Sequence, residues 1–167
     1  RHDAVVTDIS EPGFADPAQD AQSCFRAVLA CLSQPGSVRR ITAGLRPPAL
    51  LDPATAAVLL TLVDQETTPW IVFHCGARIC QAERDAQFVL ATELPDLARI
   101  DSGSDEVPEA AATVILQMAK LGEGSTIRLA GPGLASPGEL RVTGLPDDFK
   151  VIWRANHALY PRGVDLI

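Results

Sequence analysis

The segment RLAGPGLASPGEL, residues 128–140, is the first place where the sequence suggests chemistry, because glycine-rich turns hold phosphate in many proteins. A Walker-type loop needs a lysine and then a serine or threonine after its last glycine, and a helix must follow. Here no lysine follows and the pattern predicts a strand, which also excludes the dinucleotide-binding fingerprint. We therefore predict a structural connection whose glycines adopt positive φ angles.

An anion site at the same turn is the alternative interpretation. A small anion would lie near Gly131 and Gly133, and an arginine such as Arg128 or Arg154 would neutralise its charge. His157 is a further candidate, because it lies near the end of a predicted helix, where the helix dipole favours a cation. These five residues are the ligand-binding candidates that the sequence offers.

The sequence shows no complete set of catalytic or metal-binding residues. No serine lies in a Gly-x-Ser-x-Gly elbow and no cysteine has a protease signature, so His157 has no evident nucleophile beside it. His74, Cys75 and Cys80 would need a fourth ligand to bind zinc, and no second closely spaced pair exists. We predict no metal site, and an independent hydrolase or transferase that uses His157 is the least favoured function.

Composition excludes several classes of partner. The net charge is −7, and only Lys120 and Lys150 among the 14 basic residues are lysines, which argues against nucleic-acid binding through a basic face. Neither lysine lies in a context typical of a pyridoxal phosphate aldimine, so we predict no cofactor. No apolar run approaches the roughly 18 residues of a membrane span, so we expect no membrane partner.

The four cysteines do not predict a disulfide scaffold in a chain of 167 residues. Buried, reduced thiols are the better interpretation, and they are typical of a cytoplasmic protein. The first residues, RHDAVV, do not have the apolar core of a secretory leader, which agrees with that expectation.

Start and stop signals divide the chain into helices and strands. Asp16-Pro17 predicts the start of a helix that QPG at 34–36 ends, and a second Asp-Pro pair precedes an apolar helix at 54–63. We predict a further helix at 147–158 and a helical turn at 94–100. The strands are expected at 37–41, 70–74, 87–91, 112–118, 126–129 and 139–142, with an extended segment at 164–167.

Apolar spacing predicts which helix faces are buried. In the first helix the apolar face comprises Phe25, Val28, Leu29 and Leu32. In the last helix it comprises Phe149, Ile152 and Trp153. This order of elements predicts one α/β domain over residues 1–167, with a mixed β-sheet and helices on its faces.

Six stretches, in order along the chain, resemble one family. The similarity is to the PhnH family of carbon–phosphorus lyase subunits, which belong to the bacterial system that degrades phosphonates. It covers nearly the whole chain, and the Gly-Pro-Gly turn and the YPRGVD ending are specific in combination. The stretches are GFADPAQDAQSCFRAVLACLSQPGSV (13–38), LRPPALLDPATAAVLLTLVDQETTPW (45–70), ATVILQMAKL (112–121), LAGPGL (129–134), VTGLP (142–146) and WRANHALYPRGVDLI (153–167).

The resemblance implies a fold and a role. The fold would be a single three-layer α/β domain with a mixed sheet, similar to pyridoxal-phosphate-dependent transferases but without the cofactor. The protein would be a homodimer alone, and in the cell a nonenzymatic subunit of the lyase core complex with the G, I and J subunits. The family continues beyond Ile167, so its C-terminal tail is expected to be missing here.

Two further expectations accompany this role. The apolar helix at 54–63 would need cover, which favours the homodimer independently. A protein that binds a phosphonate or a nucleotide at Arg128, Gly131, Gly133, Arg154 or His157 is the alternative to a purely structural subunit.

Overall fold

A computed structural model of the chain describes residues 14, 16–40, 57–60 and 67–167. Within these residues three α-helices and seven β-strands are present. The helices are α1 (Pro17–Ser33), α2 (Thr67–Cys75) and α3 (Phe149–His157). The strands are β1 (Ala57–Leu60), β2 (Arg78–Ile79), β3 (Phe88–Ala91), β4 (Thr113–Leu116), β5 (Lys120–Leu129), β6 (Gly138–Thr143) and β7 (Asp165–Leu166).

Five of the strands form one parallel sheet in the order β2-β1-β3-β4-β7. The direction of strand addition reverses between β1 and β3, as in doubly wound sheets. The other two strands, β5 and β6, pair antiparallel in a separate sheet. Parallel and antiparallel pairs are thus both present, but the described strands do not combine them in one mixed sheet.

The parallel sheet is apolar on both faces, which parallel sheets require because their crossover connections cover both sides. On one face Val89 and Val114 lie in a cluster against which Ile152 and Trp153 of α3 pack. On the other face Leu90 lies in a second cluster with Ile71 of α2 and Ala77. The sheet therefore lies between helices α2 and α3. The similarity of the fold to pyridoxal-phosphate-dependent transferases stays a prediction.

The antiparallel pair is a long, largely exposed hairpin. Its strands include the predicted 126–129 and 139–142, but β5 begins earlier, at Lys120. The register shifts between Leu121 and Ser125, because the segment GEG bulges out opposite Val142. Gly124 has φ +89°, and a side chain there would clash with Val142 O, so the bulge requires glycine.

Helix α1 begins and ends where the sequence predicts. The Asp16 carboxylate accepts a hydrogen bond from Gln19 N at 3.2 Å, and Pro17 occupies the first turn. At the other end Gln34 N donates to Ala30 O, and Gly36 then adopts φ +82°. Both termini are therefore satisfied by local sequence signals.

The apolar face of α1 is not buried as predicted. Phe25, Leu29 and Leu32 are 62%, 53% and 49% exposed, and Val28 is half-buried. The buried position is Cys24, which has no exposed surface. The four apolar residues do lie along one side of the helix, as their spacing predicts. The side that faces the protein interior, however, is the adjacent one, which contains Cys24.

Two other predictions were wrong about element type. Residues 57–60, predicted within an apolar helix at 54–63, form β1 in the interior of the sheet. Residues 70–74, predicted as a strand, belong to helix α2. A strand buried on both faces is as continuously apolar as a buried helix, so apolar content alone did not distinguish them.

The remaining element predictions divide as follows. Residues 37–40 form no strand, which contradicts the prediction for 37–41. The strands predicted at 87–91 and 112–118 are confirmed as β3 and β4, the helix at 147–158 as α3, and the turn at 94–100 contains a 3-10 segment, Leu97–Arg99. Residue 41 and residues 54–56 and 61–63 of the second predicted helix lie outside the described residues, as does the Pro47-Pro48 pair, which predicts a loop.

Asn156 joins the end of α3 to the last strand of the sheet. Its side-chain nitrogen donates to Val164 O at 2.9 Å, and its side-chain oxygen accepts from Val164 N at 2.8 Å. Gly163 packs beside it, since a Cβ there would lie 3.3 Å from Asn156 O. We call this arrangement the Asn156 clasp, and it fixes the turn between α3 and β7.

Removing the Asn156 clasp is expected to destabilise the fold. Asn156→Ala leaves one buried N–H and one buried C=O unpaired, at about 1–3 kcal/mol each, so the free energy of unfolding should fall by about 2–5 kcal/mol. Lys150→Ala, an exposed change on the same helix, is the control and should stay within about 0.5 kcal/mol. Equal urea midpoints for wild type and Asn156→Ala would contradict this role.

The exposed apolar face of α1 predicts that truncating an α1 leucine destabilises the fold less than truncating a buried leucine does. Leu90→Ala, in the buried centre of β3, should cost about 2–5 kcal/mol. Leu29→Ala should cost less than about 1 kcal/mol in the isolated chain, because the side chain is already half in water. Urea unfolding of both variants decides this, and a loss for Leu29→Ala as large as for Leu90→Ala would show a covered face.

Candidate functional site

The Gly-Pro connection between β5 and β6 packs against the end of helix α1. Leu134 N donates to Gly131 O at 3.2 Å and closes a turn. Gly133 has φ +85°, and a Cβ there would clash with Ser33 O, the last carbonyl of α1. The next element is strand β6, as the sequence predicts, so no helix N-terminus supplies free N–H groups.

A cavity of about 410 Å³ lies between this connection and the end of α1. Its only charged lining residue is Glu139, whose carboxylate lies 4.0 Å from Arg128 Nε. The Ser37 hydroxyl also lines the cavity, is buried, and has no hydrogen-bond partner among the described residues. A carboxylate at the wall disfavours an anion, so the cavity lacks the charge that phosphate binding needs.

A second, smaller cavity of about 220 Å³ lies beside the Asn156 clasp. Besides Trp153 and Asn156, four lining side chains can hydrogen-bond: His157, Tyr160, Arg162 and Asp165. Arg162 Nε lies 2.9 Å from the Asp105 carboxylate, which neutralises it. Partial burial raises the pKa of the Asp165 carboxyl. The cavity therefore offers mixed polarity and no net cation for an anionic ligand.

The five predicted ligand-binding residues do not share one cavity. Gly133 lines the first and His157 lines the second. Arg128, Gly131 and Arg154 line neither, and Arg128 pairs instead with its cross-strand neighbour on β6. Binding of an anion by any of these residues stays a prediction.

The described residues also contain no ready metal or aldimine site. No group of three or more His, Cys, Asp or Glu residues within them is arranged to hold a metal ion. Lys120 is exposed and lies 3.1 Å from Glu123, and Lys150 is exposed in the first turn of α3. Neither lines a described cavity, so the lysines present do not fit pyridoxal phosphate.

Two of the cysteine thiols among the described residues are shielded from solvent. Cys24, Cys31 and Cys80 are free, and Cys24 and Cys80 are buried. Burial raises the pKa of the Cys24 thiol, which lowers its thiolate fraction at neutral pH. Cys24 and Cys80 are thus buried as predicted and Cys31 is half-buried, while the reduced state of the thiols stays a prediction.

The carboxyl edge of the parallel sheet is where doubly wound folds bind ligands. Among the described residues, Thr92 and Glu93 follow β3, and Gln117 follows β4. No basic residue is present in these stretches, so they offer nothing to an anion. Residues 61–66, which follow β1, lie outside the described part of the chain.

Sequence reasoning missed the residues around the second cavity. Asn156, Tyr160, Arg162 and Asp165 all belong to RANHALYPRGVD, in which the sequence pattern indicates only Arg154 and His157 as candidates. The sequence signal for this site is an asparagine near the end of a helix, followed by Pro-x-Gly and a short strand. A turn of this kind leaves backbone N–H and C=O groups unpaired, and the asparagine side chain can hydrogen-bond to them.

No helix within the described residues is long and apolar enough to cross a membrane. Comparison with known proteins finds two curated relatives of similar length. One, from Rhizobium meliloti (strain 1021), is named alpha-D-ribose 1-methylphosphonate 5-triphosphate synthase subunit PhnH; it is 33% identical over 92% of this chain and 85% of its own length. The other, from Stutzerimonas stutzeri, is named putative C-P lyase subunit protein HtxG; it is 34% identical over 87% of this chain and 76% of its own length.

A family profile described as bacterial phosphonate metabolism protein (PhnH) matches residues 12–167. The match includes the connection at 128–140, helix α3 and the turn that the Asn156 clasp holds. The resemblance inferred from the sequence is thus confirmed: the chain belongs to the PhnH family of bacterial phosphonate metabolism proteins.

Proposed function

We propose that the chain is a noncatalytic subunit of a bacterial carbon–phosphorus lyase complex, which assembles with the G, I and J subunits and serves the breakdown of organic phosphonates. The observation that carries the proposal is the family match over residues 12–167, together with two relatives whose names describe subunits. Isolated subunits of such complexes need no complete active site of their own.

The geometry of the described residues supports a noncatalytic role. The larger cavity has one charged lining residue, a carboxylate, and no nucleophile–base pair. In the smaller cavity His157 is exposed, and no hydrogen bond among the described residues orients its ring toward a nucleophile. An enzyme would need a base held by a third group at hydrogen-bond distance.

Homodimerisation and a cytoplasmic location are part of the proposal. The sequence-based reason for a dimer, an apolar helix at 54–63, no longer holds, because residues 57–60 form strand β1, which pairs with β2 and β3. The exposed stripe of Phe25, Leu29 and Leu32 on α1 replaces it as an apolar surface in need of cover. The buried free thiols favour a reducing compartment.

Ligand binding is the second candidate function, and one observation favours it. The cavity at the Gly-Pro connection, at about 410 Å³, lies within the range of about 300–1,000 Å³ typical of small-molecule sites. The unpartnered Ser37 hydroxyl could donate to an occupant. The carboxylate of Glu139 argues against a phosphonate or a nucleotide as that occupant.

Co-purification tests the leading proposal. The tagged chain, expressed with the G, I and J subunits in cells that grow on methylphosphonate as the only phosphorus source, should elute with all three on size exclusion. The isolated chain should turn over neither ATP nor methylphosphonate. Elution of the chain apart from the other subunits, or turnover by the isolated chain, would contradict the proposal.

Substitution of two glycines distinguishes a structural role of the Gly-Pro connection from a phosphate-binding role. Gly133→Ala should lower the unfolding midpoint, because its φ and its contact with Ser33 O both exclude a side chain. Gly138→Ala is the control, since it lines the same cavity with open space at its Cβ position. Calorimetric titration of the wild type with phosphate, ATP or methylphosphonate should show no micromolar binding.

The cradle interpretation makes the opposite forecast. It requires the wild type to bind one of these anions at micromolar concentration. It also requires Gly133→Ala to abolish that binding while its unfolding midpoint stays at the wild-type value.

A further inference from the structure

The outer face of α3 carries two parallel rows of side chains, which we call the α3 docking face. Its inner side, through Phe149, Ile152 and Trp153, packs on the core. Spacing of i, i+4 and i+7 places each outer row along one line of the helix surface. The cationic row is Lys150, Arg154 and His157, the apolar row is Val151, Ala155 and Ala158, and all six are exposed.

The charges of Lys150 and Arg154 in the cationic row are available to a partner. Within the described residues neither Lys150 nor Arg154 has an ion-pair partner, whereas Lys120, Arg128 and Arg162 each have one. The whole chain has a net charge of −7, whereas the formally charged side chains of this face are the cations Lys150 and Arg154. The two acids before the helix, Asp147 and Asp148, lie at its N-terminus, where the dipole favours them.

The apolar row suits contact with another helix. Val151 is 66% exposed, and Ala155 and Ala158 continue the row with small side chains that let a second helix approach closely. At the C-terminal end Tyr160 is 81% exposed and reaches the edge of the smaller cavity. At about 220 Å³ that cavity lies below the range of about 300–1,000 Å³ typical of small-molecule sites, but it can take one anchoring side chain.

We propose that the α3 docking face binds an amphipathic helix of a partner subunit, whose apolar residues lie against Val151 and Ala155 and whose carboxylates pair with Lys150 and Arg154. The proposal rests on the proposed function, because it assigns the surface through which the chain joins its complex. Opposite charge selects the partner and its register, and apolar contact supplies most of the affinity.

The other exposed apolar surface is a weaker candidate for this partner. The α1 stripe comprises the apolar side chains Phe25, Leu29 and Leu32, so it offers no charge that would select a partner. The α3 docking face, in contrast, combines an exposed apolar row with the cations Lys150 and Arg154.

Charge reversal tests the proposal against a matched control. The double variant Lys150→Glu with Arg154→Glu changes net charge by the same amount as Arg84→Glu with Arg141→Glu, which lie elsewhere and are exposed without ion pairs among the described residues. Each variant is titrated by surface plasmon resonance against a purified assembly of the G, I and J subunits. The α3 variant should bind at least about tenfold more weakly than wild type, and the control should bind as wild type does.

Folding is checked separately, and each outcome is decisive. Both double variants should keep the wild-type unfolding midpoint. If the α3 double variant unfolds earlier, the single variant Ala155→Glu is used in its place. Ala155 is exposed, and glutamate is a good helix former, so this substitution should not disturb the helix. Equal binding by wild type and the α3 variant, or loss in the control alone, overturns the docking face and leaves the proposed function intact. Failure of the wild type to bind the assembly overturns both.

Discussion

One side chain fixes the geometry on which the C-terminal third of the molecule depends. Asn156 exchanges two hydrogen bonds with the backbone of Val164, so the end of α3 is held against the start of β7. Because β7 pairs only with β4, at the edge of the sheet, this clasp determines where the last strand begins. A second bond, from Gly163 N to Ser102 O, ties the same turn to the preceding loop.

The clasp also orients the surface to which we assign docking. With Asn156 pointing inward, helical periodicity turns Lys150, Val151, Arg154 and Ala155 outward. The small cavity exists because the turn doubles back beside Trp153, with the Arg162–Asp105 ion pair on its far side. Stability and recognition therefore rely on the same buried amide, while the charges that select a partner remain in solvent.

The sequence predicted elements well where local chemistry decides them. Asp16-Pro17 and Gln34-Pro35-Gly36 bound α1 because caps act within one turn, and Phe149, Ile152 and Trp153 identified the inner face of α3. It failed where tertiary contacts decide: residues 57–60 and 70–74 exchanged types, because a central parallel strand is continuously apolar and α2 is nearly apolar all round. Likewise, spacing located the stripe of Phe25, Leu29 and Leu32 but could not show whether anything covers it. Of the five ligand candidates, Gly133 and His157 line different cavities and the other three line neither, because the sequence does not show which turns meet in the fold.

The central claim is that this PhnH-family chain acts by assembly, through the α3 docking face. The chain has only two lysines, one on that face and one on the hairpin, so zero-length carbodiimide cross-linking of the assembled complex tests the claim directly. The account predicts that mass spectrometry finds Lys150 linked to a carboxylate of a partner subunit and Lys120 linked within its own chain, to Glu123 at 3.1 Å. Links from Lys120 to a partner, with Lys150 unmodified, would contradict it.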